Sequence, residues 1–189
     1  MNAMQLRTIT CILAHHYPNA DKTEKIIINC ALVAASADAV GGLIPGLAIP
    51  ATIVTCFGAV WVMYARLCNE LGIELKENVL KLLARAALAN IAANLGGSIA
   101  AVLASMFIPG ASALASAAVA FLTVYLAGLV FLQLVLRLAE KSSDKRHFSD
   151  ISTGEMKQEI KNAKVSADDL AAAREAYESC RNAADQQAT

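Results

Sequence analysis

The chain alternates between long apolar stretches and short charged ones. From Ala86 to Leu136 there are fifty-one consecutive positions without Asp, Glu, Lys or Arg. Near the middle lies Ile108-Pro109-Gly110. Proline cannot continue a helix from the preceding turn, and glycine takes the left-handed angles of a tight corner. The stretch therefore predicts two apolar helices, Ala86–Ile108 and Ala111–Leu136, folded into a hairpin whose tip is Pro109 and Gly110. At 23 and 26 residues, each arm exceeds the roughly 20 residues that cross a bilayer.

An earlier uncharged run, Ala39 to Ala65, follows Ile26–Ala37, with only Asp38 between them. Sliding the chain by 64 positions lays Ile44-Pro45-Gly46 on Ile108-Pro109-Gly110. The architecture repeats as apolar arm, Ile-Pro-Gly, apolar arm and basic residue, ending at Arg66 and again at Arg137. A first hairpin is thus expected to turn at Pro45 and Gly46, with arms Ile26–Ile44 and Leu47–Ala65 of 19 residues each. A carboxylate at a bilayer centre costs about 2.5–3.5 kcal/mol on insertion scales. Asp38 therefore makes this pair either re-entrant or packed against the second. It is also an intramembrane polar candidate, an ion or proton site on one reading and a helix cap on the other.

The expected fold is all-α: two pseudo-repeated apolar hairpins and a polar helical tail. The division is 1–140, a membrane-associated double hairpin, and 141–189, a linker and soluble charged tail. Ser152 with Glu155 has capping-box spacing before a helix near 154–164, and Ser166 with Asp168 and Asp169 opens another near 167–184. Apolar positions in the tail are sparse: Met156, Ile160, Val165, Leu170 and Tyr177. It reads either as a solvated tail or as a docking helix for a partner. Between the hairpins, Gly72 is expected to stop one helix before an amphipathic restart.

Basic residues gather in three segments: Arg7, Lys22 and Lys25; Arg66, Lys76, Lys81 and Arg85; and Arg137, Lys141, Lys145 and Arg146. Two hairpins place all three on one face, which the positive-inside tendency makes cytoplasmic. The expected location is the cytoplasmic (inner) membrane, with both termini on that side. In the second hairpin Ala93, Gly97, Ala101 and Ser105 recur every fourth residue, a small-residue face of the kind that lets helices approach closely in lipid. A homo-oligomer follows from such a face.

Composition strengthens this reading. Hydrophobic residues make up 57% and charged residues 17%, against roughly 45–50% and 25% in ordinary soluble domains. Sixteen acids balance sixteen bases, which gives no pull toward nucleic acid. Cys11, Cys30, Cys56, Cys68 and Cys180 have no CxxC spacing and read as free thiols. His15-His16 with Asp21 lacks ligand spacing, there is no GxxxxGK[ST], and no nucleophile–base set stands out. No enzyme, metal or cofactor is expected.

Three segments carry a resemblance: "EKIIINCALVAASADAVGGLIPG" (Glu24–Gly46), "AVWVMYARLCNELGIEL" (Ala59–Leu75) and "IPGASALASAAVAFLTVYLAG" (Ile108–Gly128). In this order they resemble the domain of unknown function shared by YcjF-type bacterial inner-membrane proteins and the C-terminal regions of some Era-like small GTPases. The family commonly has an acidic residue soon after the first proline, and "IPGLAIPATIV" has none. The resemblance implies an α-helical membrane module without activity of its own, a small GTPase being the partner it would imply. Three functions are open: an adaptor or structural module in the bilayer, a conditionally inserting pore former, and a soluble helical oligomer.

Overall fold

The computed structural model describes residues 3–41, 48–105, 112–163 and 165–187. Among these there are seven α-helices, one 3-10 turn and no strand. The helices are α1 (Ala3–Leu13), α2 (Thr23–Gly41), α3 (Ala48–Leu71), α4 (Glu77–Ser105), α5 (Ser112–Lys141), α6 (Thr153–Asn162) and α7 (Ala167–Gln187). The all-α expectation is met. Both expected hairpin tips, Pro45-Gly46 and Pro109-Gly110, lie outside the described residues.

α3, α4 and α5 run longer than the expected arms, and α2 begins three residues early, at Thr23. α3 passes Arg66 to Leu71, and α4 begins at Glu77, nine residues before the charge-free run. A charge marks where a helix meets water, not where it ends. The ends between them are built locally. Gly72 adopts φ 67°, the left-handed angle that favours glycine, and Ile73 N–H donates to the Cys68 carbonyl at 2.8 Å. The amphipathic restart is the first turn of α4 itself, where Lys81 pairs with Glu77 one turn earlier.

The bundle is organised around α5, which touches all six other α-helices, α2 most extensively. The α2–α5 seam is close because Gly128 has no side chain. A Cβ there would lie 2.8 Å from Ile27 Cγ1 and 2.9 Å from both Cγ2 and Cδ1. Higher on α5, Tyr64 of α3 stacks on Phe131 with centroids 4.2 Å apart, and its hydroxyl donates to the Ala127 carbonyl at 2.9 Å. The tyrosine is fully buried, yet its one polar atom is bonded, as burial requires.

The tail departs most from expectation. It is not a solvated appendage: α6 packs on α4 and α5, and α7 packs on α5 and α1, while the outer face of α7 stays exposed. Its few apolar residues are placed where they cover the core: Met156, Ile160, Ala163 and Ala173 are buried, and Tyr177 meets Phe121 at 5.2 Å. Asn90 of α4 donates its side-chain amide to the carbonyls of Ile160 at 2.6 Å and Ala163 at 2.9 Å, tying the end of α6 to α4. The connection from α5 is a built plug. Phe148 is fully buried with φ 48°, an uncommon angle for a bulky residue. Asp144 holds that turn by accepting from the backbone N–H groups of Arg146 and His147, each at 3.1 Å.

Gly128→Ala is expected to destabilise by about 1–3 kcal/mol, the usual cost of overpacking, because Ile27 is β-branched and cannot turn aside. Truncating the partner as well should recover part of the loss. Urea unfolding of Gly128→Ala, Ile27→Ala and the double variant measures the coupling; strictly additive losses would show that the two residues do not meet.

Candidate functional site

Three regions carry the polar and apolar features from which function must be read. The first is the end of the bundle where charged segments meet. Lys22, before α2, pairs with Glu70 of α3 at 2.6 Å, and Asn19 donates to the Glu70 carbonyl at 3.3 Å. The Tyr17 hydroxyl donates to the Lys145 carbonyl at 3.0 Å, and Glu74 N–H donates to the Arg146 carbonyl at 2.8 Å. The N-terminal, middle and tail segments therefore lie together. The start of α2 and the ends of α3 and α5 share one end of the bundle, so α2 runs antiparallel to both.

The second region is Asp38. It is 1% exposed on α2 and accepts a hydrogen bond from the Ser116 hydroxyl of α5, itself fully buried. Neither sequence reading, ion site or helix cap, foresaw this bond between helices. Cys56 of α3 lies close enough to feel the Asp38 charge. Among the described residues no group of three or more His, Cys, Asp or Glu side chains could hold a metal ion. Cys11, Cys30, Cys56, Cys68 and Cys180 are all free thiols. The arrangement joins α2 to α5 through a buried carboxylate–hydroxyl bond.

The third region is the outer face of α2 and α3. Val33, Ile53, Val54 and Val62 are all large, apolar and exposed, between 41% and 71%. Between Val33 and Val62 runs a trough of about 250 Å³, walled also by Cys30, Ala34, Thr55 and Gly58, with Arg66 at its polar end. Val54 stands beside it, and Ile53, half a turn round α3 from Val62, lies off this face. No Cβ contact would be met at Gly58, so that glycine keeps the trough open. Toward the charged end the same face turns polar at Lys25, Asn29, Arg66 and Asn69, all exposed.

The expected small-residue face fares differently. Ala93 is exposed rather than sealed in a helix seam, beside Lys157 and Lys161 of α6. The side chains of Gly97, Ala101 and Ser105 lie outside the described residues. The close approach that is seen, Gly128 on Ile27, joins α2 to α5.

One described helix segment, Ser116–Lys141, is long and apolar enough to cross a membrane, and 83% of its most apolar window is buried inside the protein. Hydropathy reports how much apolar surface a helix carries, not what covers it. Here other helices do. No protein-family model, curated protein or solved structure matches the chain.

If Asp38 ties α2 to α5, Ser116→Ala should cost about 1–3 kcal/mol, the penalty for removing one partner of a buried polar pair. Asp38→Asn, which keeps an acceptor of the same shape, should be milder. Thermal unfolding of both variants checks this; an unchanged Ser116→Ala would show that the bond contributes nothing.

Proposed function

We propose that this chain is a non-enzymatic, membrane-associated helical module that meets the bilayer through the outer face of α2 and α3. The observation that carries this reading is the concentration of exposed apolar side chains on that face, above a basic end. Fully burying a Val or Ile side chain contributes about 1.5–3 kcal/mol, and a Lys or Arg near an anionic surface about 1 kcal/mol. Val33, Val54 and Val62 with Lys25 and Arg66 therefore supply two signals, apolar and basic, which together hold a protein at a membrane. The clustering of the three charged segments supports their facing one compartment, the cytoplasm by the positive-inside tendency. This keeps the inner-membrane reading and its adaptor role. A protein partner, a small GTPase if the family resemblance holds, would meet the exposed outer face of α7, where Arg174, Glu175, Glu178 and Arg181 lie.

The test is co-sedimentation with anionic vesicles at neutral pH. Wild type should pellet with them. Val33→Gln with Val54→Gln and Val62→Gln should stay in the supernatant with an unchanged melting temperature, since exposed substitutions usually stay within about 0.5 kcal/mol. Equal pelleting of both proteins would reject the α2–α3 face.

A second reading, conditional insertion, is favoured by one observation: α6 and α7 cover the helix best able to cross a bilayer. α6 is fastened to α5 by Glu159, which pairs with Arg137 at 3.2 Å and with Lys141. The Lys141 hydrogen bond, with Arg137 behind it, holds the Glu159 carboxyl below its ordinary range. Asp144 in the connecting turn is lowered to about 2, chiefly by the His147 backbone N–H. Groups with depressed folded values stabilise above their unfolded value, about 4, and lose that contribution as pH falls through the folded one. The tail should therefore loosen between about pH 4 and 2. Dye release from liposomes is expected to be absent at pH 7 and to appear at pH 3 only if this second reading holds; silence at both values would remove it.

A further inference from the structure

Between α4 and α6 lies a cleft of about 680 Å³ lined by Leu82, Arg85, Ala86, Ala89, Asn90, Ala93, Lys157 and Lys161. Its size falls within the roughly 300–1,000 Å³ of clefts that hold whole small molecules. Its chemistry is two-sided. Three cations, Arg85 from α4 with Lys157 and Lys161 from α6, stand on the rim, and no carboxylate is among the lining residues. Nearby acids are turned elsewhere: Glu159 pairs with Arg137 and Lys141, and Glu77 pairs with Lys81 at 2.6 Å. The floor is Leu82 with a row of alanines, Ala86, Ala89 and Ala93, at helical spacing along α4.

Lys157 and Lys161, one turn apart on α6, repel each other across this cleft, with Arg85 at its edge over the Phe57 ring at 5.6 Å. An anion bound among them relieves that repulsion. An apolar floor beneath adds affinity for a ligand that also carries hydrocarbon. We propose that this cleft binds an anionic amphiphile, a single hydrocarbon chain with a phosphate or carboxylate head, the head held by Arg85, Lys157 and Lys161 and the chain laid along Leu82 and the alanines. Because α4 supplies one cation and α6 two, the bound head bridges the core and the tail. A ligand that requires both elements stabilises their docked arrangement by mass action, so occupancy and tail docking rise together. The site lies apart from the α2–α3 face and stands whether or not that face meets a membrane.

The experiment uses the full chain and three monomeric probes: dodecyl phosphate, inorganic phosphate and dodecanol. Binding is read by calorimetry, and tail docking by the rate of limited proteolysis within 142–187. Dodecyl phosphate is expected to bind at least ten-fold more tightly than either of the other two and to slow cleavage of the tail. Lys157→Gln with Lys161→Gln should weaken it at least ten-fold, as should Arg85→Gln. Ala89→Phe, at an exposed floor position, should weaken dodecyl phosphate while leaving inorganic phosphate unchanged. Lys76→Gln, an exposed cation just ahead of α4, should change nothing. Phosphatidylglycerol nanodiscs separate the sources: protection of the tail by the nanodiscs assigns the head to a bilayer lipid, whereas protection by monomeric dodecyl phosphate alone assigns it to a free amphiphile. Equal affinity for dodecyl phosphate and inorganic phosphate, or unaltered affinity in the cation variants, would overturn the proposal.

Discussion

α5 carries more apolar surface than a helix can show to water, and the rest of the chain is arranged to cover it. Its central portion has buried side chains on every face: Phe121, Val124, Tyr125, Leu126, Ala127, Val130, Phe131 and Leu134. A helix that is apolar all round must lie in a core or in lipid. Here six helices make the core. The closest of them, α2, comes near enough only because Gly128 leaves room for Ile27. From that contact the other placements follow. α3 adds Tyr64 on Phe131, α4 returns alongside, and α6 and α7 close the remaining side.

That closure divides the surface. On the α4–α5 side, a charged tail presents its polar face outward and hides the apolar core. On the α2–α3 side no further described helix packs, and Val33, Val54 and Val62 are left outside. A chain with one sealed face and one open apolar face is asymmetric in the way a protein at a membrane surface must be. The same asymmetry explains how the tail serves both readings of function: docked, it covers α5; released, it would free the helix with the apolar length to span.

What was legible in the sequence follows from which signals are strong. The four long helices were plain from charge-free runs, and the capping box of Ser152 and Glu155 marked the start of α6, where both reciprocal hydrogen bonds form. The gathering of basic segments at one end followed from two turns alone. Docking of the tail was not legible, because it rests on scattered residues, Met156, Ile160, Ala163 and Tyr177, whose partners are up to seventy-three positions away. Phe148 looked like one apolar residue in a polar linker, yet it plugs the core. α1 was missed as well. Its signal was present in Leu6, Thr10, Leu13 and Tyr17, all buried at helical spacing, but their run was too short to stand out beside longer ones. The role of Asp38 could not be read because its partner, Ser116, is 78 residues distant. The cationic cleft was hidden for the same reason, since Arg85 and Lys161 belong to different segments.

The central claim is that one face of the bundle meets lipid while the tail-covered face meets water. Spin labels placed singly in a cysteine-free background, at 54 on α3 and at 178 on α7, test this in anionic nanodiscs. The account predicts that the label at 54 is relaxed more strongly by oxygen, which concentrates in hydrocarbon, and the label at 178 by a water-soluble nickel chelate. Chelate access at both positions, or oxygen access at both, would contradict it.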